Sequence, residues 1–306
     1  MNFEDLLTEQ RNRHSTRIDQ VGTADMVEII NREDQRVARS VQKQLPQVSQ
    51  AINLATKRFD AGGRLIYIGA GTSGRLGVLD ATELRPTYGL EESQTFGIIA
   101  GGPEAMFHTL EGVEDSAELA ENDLKKVNLN DKDIVIGIAA SGATPYTVAA
   151  LHYAKQVGAL AIAVACVTDS PLEKNADVAI CPIVGPEVIT GATLMKAGTS
   201  QKMVLNMVSS GIMIRSGKVY QNLMINVVPT NEKTNRRAKR IIAAATQTST
   251  LAAERALERA DNNVPLAILL IETKGTIAEA KALLKQAGGH VSDAVKLSLK
   301  SSARSV

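Results

Sequence analysis

The spacing of hydrophobic positions changes period along the chain. Up to residue 60 it is helical: Met26, Ile29, Ile30, Val37 and Val41 form one stripe with Thr23 placed to cap it. Leu45-Pro46 opens a second helix carrying Val48, Ile52, Leu54 and Ala55. After Gly62-Gly63 the pattern shifts to short apolar or β-branched runs at 65–68, 95–99, 134–139, 159–164 and 178–180, with helical stretches between most of them. Continuous apolar runs of that length suit strands covered on both faces, so five of them predict an α/β fold, a doubly wound five-stranded parallel sheet. Residues 188–215 read as a long helix, and 218–228 are apolar with ambiguous period. From Asn231 onward the chain is rich in Ala, Leu and Lys and broken at Asp261-Asn262-Asn263 and Gly288-Gly289. The predicted organisation is an N-terminal helical segment 1–60, an α/β domain 61–230 and a small helical domain 231–306.

Composition narrows the partners. With 34 basic and 33 acidic residues the chain carries a net charge of +1, which offers no broad field for nucleic acid or an anionic membrane. The basic run Lys233, Arg236, Arg237, Lys239, Arg240 reads as a solvated helix face, or more sharply as cations near a bound phosphate. The apolar run at 159–167 is about half of what a bilayer requires. The opening MNFEDLLTEQRNRH has acids where a signal peptide is basic and then apolar. Cys166 and Cys181 sit in apolar segments without metal spacing and read as reduced core thiols. A cytoplasmic protein acting on small molecules is expected.

The chemistry concentrates at two strand ends. RLIYIGAGTSGRLGVLDATE (64–83) reads as a strand, a loop of small residues from Gly69 to Gly74, and a helix running from Arg75 towards Glu83. Gly69, Gly71 and Gly74 satisfy a dinucleotide-type G-x-G-x-x-G, but the second strand ends in Ala100-Gly101-Gly102 where a ribose-binding acid is required. No lysine follows for a Walker loop either. What the loop has is Thr72 and Ser73, and a second strand ends in a similar way at Ser141-Gly142-Ala143-Thr144 before Pro145. Hydroxyls and free helix-start N–H groups at two strand ends can surround a phosphomonoester without a metal. Thr72, Ser73, Ser141, Gly142 and Thr144 are therefore the expected phosphate-binding residues. Either loop alone would pass for an ordinary capped helix start. His14, His108, His152 and His290 show no metal-ligand spacing, so neither a metal nor another cofactor is expected. His108 reads as a surface residue.

These stretches carry a resemblance. GGRLIYIGAGTSGRLGVLDATE (62–83), IAGGPEAMFHTLEGVEDS (99–116), GIAASGATPY (137–146), VGPEVITGATLMKAGTSQKMVLNM (184–207) and GKVYQNLMINVVPTNEK (217–233) resemble the N-acetylmuramic acid 6-phosphate etherases of the sugar isomerase (SIS) superfamily. The opening TEQRN and the helical tail are similar too. The resemblance implies a flavodoxin-like SIS fold, a homodimer, a sugar-phosphate substrate, and removal of D-lactate from C3 of the muramic sugar phosphate with addition of water, in cell-wall recycling. It carries the acid role to Glu83 and a second acid–base role, C2 deprotonation, to Glu114. From the residues alone, Val78, Leu79 and Leu84 predict partial burial of Glu83, which favours the protonated form, while Glu114 sits among Glu111, Asp115 and Glu118.

The match has gaps. Ala143 stands where the etherases have an arginine in SGRT, Leu194 where a later TGS-x-R segment has another, and Leu84-Arg85-Pro86 replaces Cys-Pro-Pro. Two explanations follow: Arg85 or Lys196 supplies the charge for the lactyl carboxylate from another position, or the substrate is a related sugar phosphate. Three rivals follow from the same loops: a non-catalytic sugar-phosphate sensor like the glucokinase regulatory protein, an aldose–ketose isomerase, and a sugar-phosphate-responsive transcription factor. The last lacks a basic DNA-binding module, and a sensor has no use for both glutamates.

Overall fold

A computed structural model describes residues 7–229 and 231–302. The chain divides into two compact units, one of residues up to Thr82 with Glu92–Ser210, the other of Glu83–Glu91 with Gly211 onward.

The first unit opens with helices α1 (Thr23–Gln42) and α2 (Leu45–Asp60). Helix α1 starts at Thr23 itself, with Gly22 at the cap position and no side-chain cap bond, so Thr23 does not cap it. Five parallel strands follow: β1 (Leu65–Gly69), β2 (Thr95–Ile99), β3 (Ile134–Ile138), β4 (Leu160–Val164) and β5 (Val178–Ile180). Every residue of β1, β3 and β4 is buried, as their unbroken apolar runs require. The order β2-β1-β3-β4-β5 reverses direction between β1 and β3, and in such sheets the crevice outside the strand ends at that reversal is where ligands bind.

Helices α3 (Gly71–Tyr88), α4 (Ala117–Lys126), α5 (Pro145–Val157) and the short α6 (Pro171–Lys174) make the crossovers. One core joins Ile66, Ile68 and Val135 of the sheet to Leu124, Tyr146 and Leu151. Helix α3 begins four residues before Arg75, so Thr72 and Ser73 lie in its first turn and not in a loop. A Cβ at Gly74 would stand 2.6 Å from the Gly69 carbonyl oxygen and 2.7 Å from Ile99 Cγ1. The glycine spacing therefore serves the close approach of helix to strand, which accounts for a fingerprint without a dinucleotide.

Helix α7 (Lys196–Arg215) is shorter than its sequence suggests. The buried Glu187 carboxylate accepts the backbone N–H groups of Lys196 (3.0 Å) and Ala197 (2.9 Å), an anion seated on the helix start. Residues 188–195 are held instead in turns, with Gly191 at φ +80°. Tyr67 on β1 donates to Asp80 Oδ2 (2.7 Å) and Asn206 Nδ2 donates to Asp80 Oδ1 (2.5 Å), which ties strand, α3 and α7 together. Burial first, then the Asp80 charge, push the Tyr67 phenol well above its ordinary range.

The second unit holds a two-stranded antiparallel hairpin, β6 (Val219–Tyr220) with β7 (Leu223–Met224), from the stretch of ambiguous period. Five helices follow: α8 (Glu232–Thr246), α9 (Thr250–Arg259), α10 (Val264–Thr273), α11 (Ile277–Gln286) and α12 (Val291–Ser302). Asn231, Ser249, Asn263 and Thr276 cap four of them through their side chains. Their core gathers Ile225, Ile242, Leu257, Ile268 and Leu269. Among the described residues no helix is long and apolar enough to cross a membrane.

Candidate active site

A cleft of about 320 Å³ lies in the first unit at the ends of β1 and β3. Its floor is Ala70 to Ser73 at the start of α3 and Ile138 to Ser141 with Thr144 at the approach to α5. The first N–H groups of α3 have no partner within their helix, and the dipole adds partial positive charge there.

The hydroxyls differ in what they have left to give. Ser141 Oγ accepts the N–H of Ala143 at 3.2 Å, so its own proton is free for a ligand. Thr144 occupies the N-cap position of α5 with no side-chain cap bond. The buried Ser73 is different: its hydroxyl donates to Oε1 of Gln201 (3.1 Å) on α7, while Gln201 Nε2 is buried without a partner among the described residues. Amide oxygen and nitrogen exchange places by a half-turn of the side chain. After that turn Nε2 donates to Ser73 Oγ and the serine proton is released from Gln201. Gly142 is not on the cleft wall. Its N–H is donated to the Ala139 carbonyl (3.0 Å), its φ is +63°, and a Cβ would meet Ser170 Cβ at 2.4 Å. Its part is to shape the turn that presents Ser141.

One side of the cleft is the segment from Ala105 to Glu114. Glu114 is half-buried in a single 3-10 turn, Val113–Asp115, launched from Gly112 at φ +78°. Arg75 on α3 staples this wall in place. Its Nε donates to the Met106 carbonyl (3.1 Å) and its Nη2 to those of Ala105 (2.8 Å) and His108 (3.1 Å). Nη1 is left without a partner among the described residues. His108 is exposed, as expected, and also lines the wall. Glu9 and Thr193 line the cleft as well.

Two expectations need correcting. Glu83 is exposed, with Leu79 beside it 49% exposed, so the apolar neighbours do not bury it. It is not a lining residue of the cleft and belongs to the stretch Glu83–Glu91 of the second unit. Lys196 cannot meet a substrate carboxylate: it is 1% exposed, and its Nζ lies 2.7 Å from Oε2 of the equally buried Glu33. Arg85 is exposed in the last turn of α3. The basic run lies on α8, where Arg236 pairs with Glu232 and Lys239 with Glu254, and Lys233, Arg236, Arg237 and Arg240 line a concavity of the second unit.

Sequence reasoning brought Thr72, Ser73, Ser141, Thr144 and Glu114 to one cleft, and the structure assembles them there. It missed Arg75, Glu9 and Gln201. Arg75 stood inside a stretch already singled out, but nothing local tells that a guanidinium folds back onto carbonyls thirty residues away.

The family profile for the glucokinase regulatory protein N-terminal SIS domain matches residues 47–155, and the SIS domain profile matches 107–210. The chain is 69% identical over 297 residues to the N-acetylmuramic acid 6-phosphate etherase of Levilactobacillus brevis, covering 97% of this chain and 98% of that protein. Etherases of the same name from Lactobacillus acidophilus (54% identity, 97% of this chain, 99% of that one) and Lactobacillus gasseri (55%, 96% and 99%) are also similar.

Proposed function

The chain belongs to the N-acetylmuramic acid 6-phosphate etherase family, and on that premise we propose that the cleft at the ends of β1 and β3 holds the sugar phosphate whose lactyl ether is cleaved. One observation carries the reading: Thr72, Ser73, Ser141 and Thr144 share a single cleft with Glu114.

The phosphate sits on the start of α3 and between the two hydroxyl turns, where amide and hydroxyl donors outnumber acceptors. Arg75 is the cation on the wall, and its unpartnered Nη1 is the group that meets an anionic oxygen of the substrate. It takes the part that Ala143 and Leu194 leave open and Lys196 cannot fill.

With the sugar open, the C1 aldehyde makes the C2 proton acidic. Glu114, as carboxylate, removes that proton. The C3–O bond then breaks while Glu83, as carboxylic acid, protonates the ether oxygen, so lactate leaves and a C2=C3 double bond remains. Water adds its oxygen to C3 and a proton returns to C2, giving N-acetylglucosamine 6-phosphate. Each positioned acid–base group is worth about 10²- to 10⁴-fold in rate.

The protein works as a cytoplasmic homodimer in the recycling of cell-wall amino sugars. Exposure of Glu83 supports a dimer in which it serves the cleft of the second copy. The test is release of lactate from N-acetylmuramic acid 6-phosphate. Glu83→Gln and Glu114→Gln are each expected to abolish it while leaving ligand affinity within a few-fold. Reassorting the two inactive variants restores about a quarter of wild-type activity, because half of the dimers then contain one intact site. A protein that binds the muramic sugar phosphate and yields a keto sugar or no product would sink the reading. Mixed variants that stay inactive would sink the shared site.

A further inference from the structure

The segment before α1 is built into the first unit. Thr8, Asn12 and Ser15 are buried although polar. Asn12 Nδ2 donates to Glu33 Oε2 (2.9 Å) and to the Pro186 carbonyl (3.1 Å), and its Oδ1 accepts the N–H of His14 (2.9 Å). Ser15 donates to the Val188 carbonyl at 2.7 Å. These bonds lock a strap from Thr8 to Ser15 onto α1 and onto the chain that leads to α7.

The strap carries Glu9 onto the cleft wall. The Glu9 side chain is half-buried, yet its only hydrogen bond among the described residues comes from Thr8 Oγ1 at 3.3 Å. No cation among the described residues pairs with it within 4.0 Å. A carboxylate has about four acceptor sites. Most of that capacity is unused, on the side of a cleft whose floor is made of donors. A phosphate or a second carboxylate is repelled there. Neutral donors, which a hydroxylated ring or an acetamido N–H supplies, are what this wall lacks.

We propose that Glu9 is a specificity-determining residue that accepts hydrogen bonds from the ring hydroxyl or acetamido N–H groups of the bound sugar, while the floor takes its phosphate. The strap sorts the two ends of the ligand by charge: the anion is driven inward and the neutral donors are held at the rim. This inference rests on the cleft being the sugar-phosphate site, and it names which face of the sugar the strap reads.

The experiment uses the full chain, with titration calorimetry against N-acetylglucosamine 6-phosphate and against inorganic phosphate. Glu9→Ala is expected to weaken the sugar phosphate by about 10- to 100-fold, the range for a hydrogen bond to a charged group, and to leave inorganic phosphate within about twofold. Glu9→Gln keeps an acceptor oxygen without the charge and falls between. Equal weakening of both probes in Glu9→Gln as well as Glu9→Ala assigns a structural part to Glu9 and overturns the proposal, as does wild-type affinity of both variants for both probes. Failure of the underlying reading looks different: the wild-type protein then binds neither probe, or binds them undisturbed by Ser141→Ala.

Discussion

Replacing Lys196 by methionine removes one member of a buried ion pair and keeps most of the side chain's volume. Lys196 Nζ lies 2.7 Å from Glu33 Oε2, and the two side chains are 1% and 2% exposed. Breaking a buried pair from one side costs about 3–5 kcal/mol, because the remaining charge stays out of water. Part of this is recovered here: Glu33 Oε1 has Arg36 Nη1 at 3.0 Å, with the arginine 48% exposed, and Oε2 keeps the bond from Asn12. An exposed cation of that kind is worth about 1 kcal/mol or less, so the net loss is about 3 kcal/mol. In a unit of about 200 residues that lowers the midpoint by about 6–12 °C. The assay is built in. The chain's two cysteines both lie in the first unit, and Cys166 Sγ is 3.4 Å from Ser200 Oγ, one turn along the helix from Lys196. Pulsed thiol labelling during a thermal ramp therefore reports this unit alone. The double variant Glu33→Gln, Lys196→Met should lose less than the two single losses added, with a coupling of about 1.5 kcal/mol or more. An unchanged midpoint together with a tenfold rise in KM for the muramic sugar phosphate would refute the reasoning and return Lys196 to the substrate.

Other consequences are checked more simply. Burial alone would raise the Glu33 carboxyl, but the hydrogen bonds from Lys196 and Asn12 and the charges of Lys196 and Arg36 outweigh it and hold it below its ordinary 4.5. A depressed carboxyl stabilises the fold above its unfolded pKa and loses that contribution as pH falls through its folded value. The urea midpoint should therefore drop below about pH 4.5 in the wild type, and less steeply in Glu33→Gln. Burial pushes both Cys166 and Cys181 up to about 12, so iodoacetamide at pH 8 should label the native chain negligibly and the unfolded chain at two sites. Ser141→Ala should weaken inorganic phosphate by about tenfold, and Gln201→Leu by less, since it frees the Ser73 proton while removing the group that orients it; equal and negligible effects on calorimetric affinity would contradict the assignment of donors. Gly142→Ala combines φ +63° with a contact at 2.4 Å, and a fall in thermal midpoint with weaker phosphate binding is expected from a turn strained by about 1–2 kcal/mol or more.

The order of helices and strands was legible in one dimension because it depends on period. A short apolar run bounded by turn residues suits a strand covered on both faces, and β1, β3 and β4 are such strands, whereas the apolar run 266–271, opened by the cap Asn263 and Pro265, is helix α10. The hydroxyls that line the cleft were legible for a related reason: a helix start after a buried strand exposes N–H groups wherever the strand is placed, so Thr72, Ser73, Ser141 and Thr144 carry their donors locally. Burial of single charged side chains is not local. Lys196 and Glu33 are 163 residues apart, and no spacing in either segment says that they neutralise one another. Leu79 and Val78 made Glu83 look sheltered, yet a helix facing solvent can leave such neighbours uncovered, and Leu79 is 49% exposed. The same holds for the carboxylate of Glu187, which ended the expectation of helix over 188–195 by capping α7 at Lys196. Local periodicity thus determined the elements and the donors of the cleft. Only tertiary packing decided which charges are spent inside the protein and which, like Arg75 Nη1 and most of the Glu9 carboxylate, are left without a partner among the described residues that line the cleft, because that depends on which distant groups come within about 3 Å.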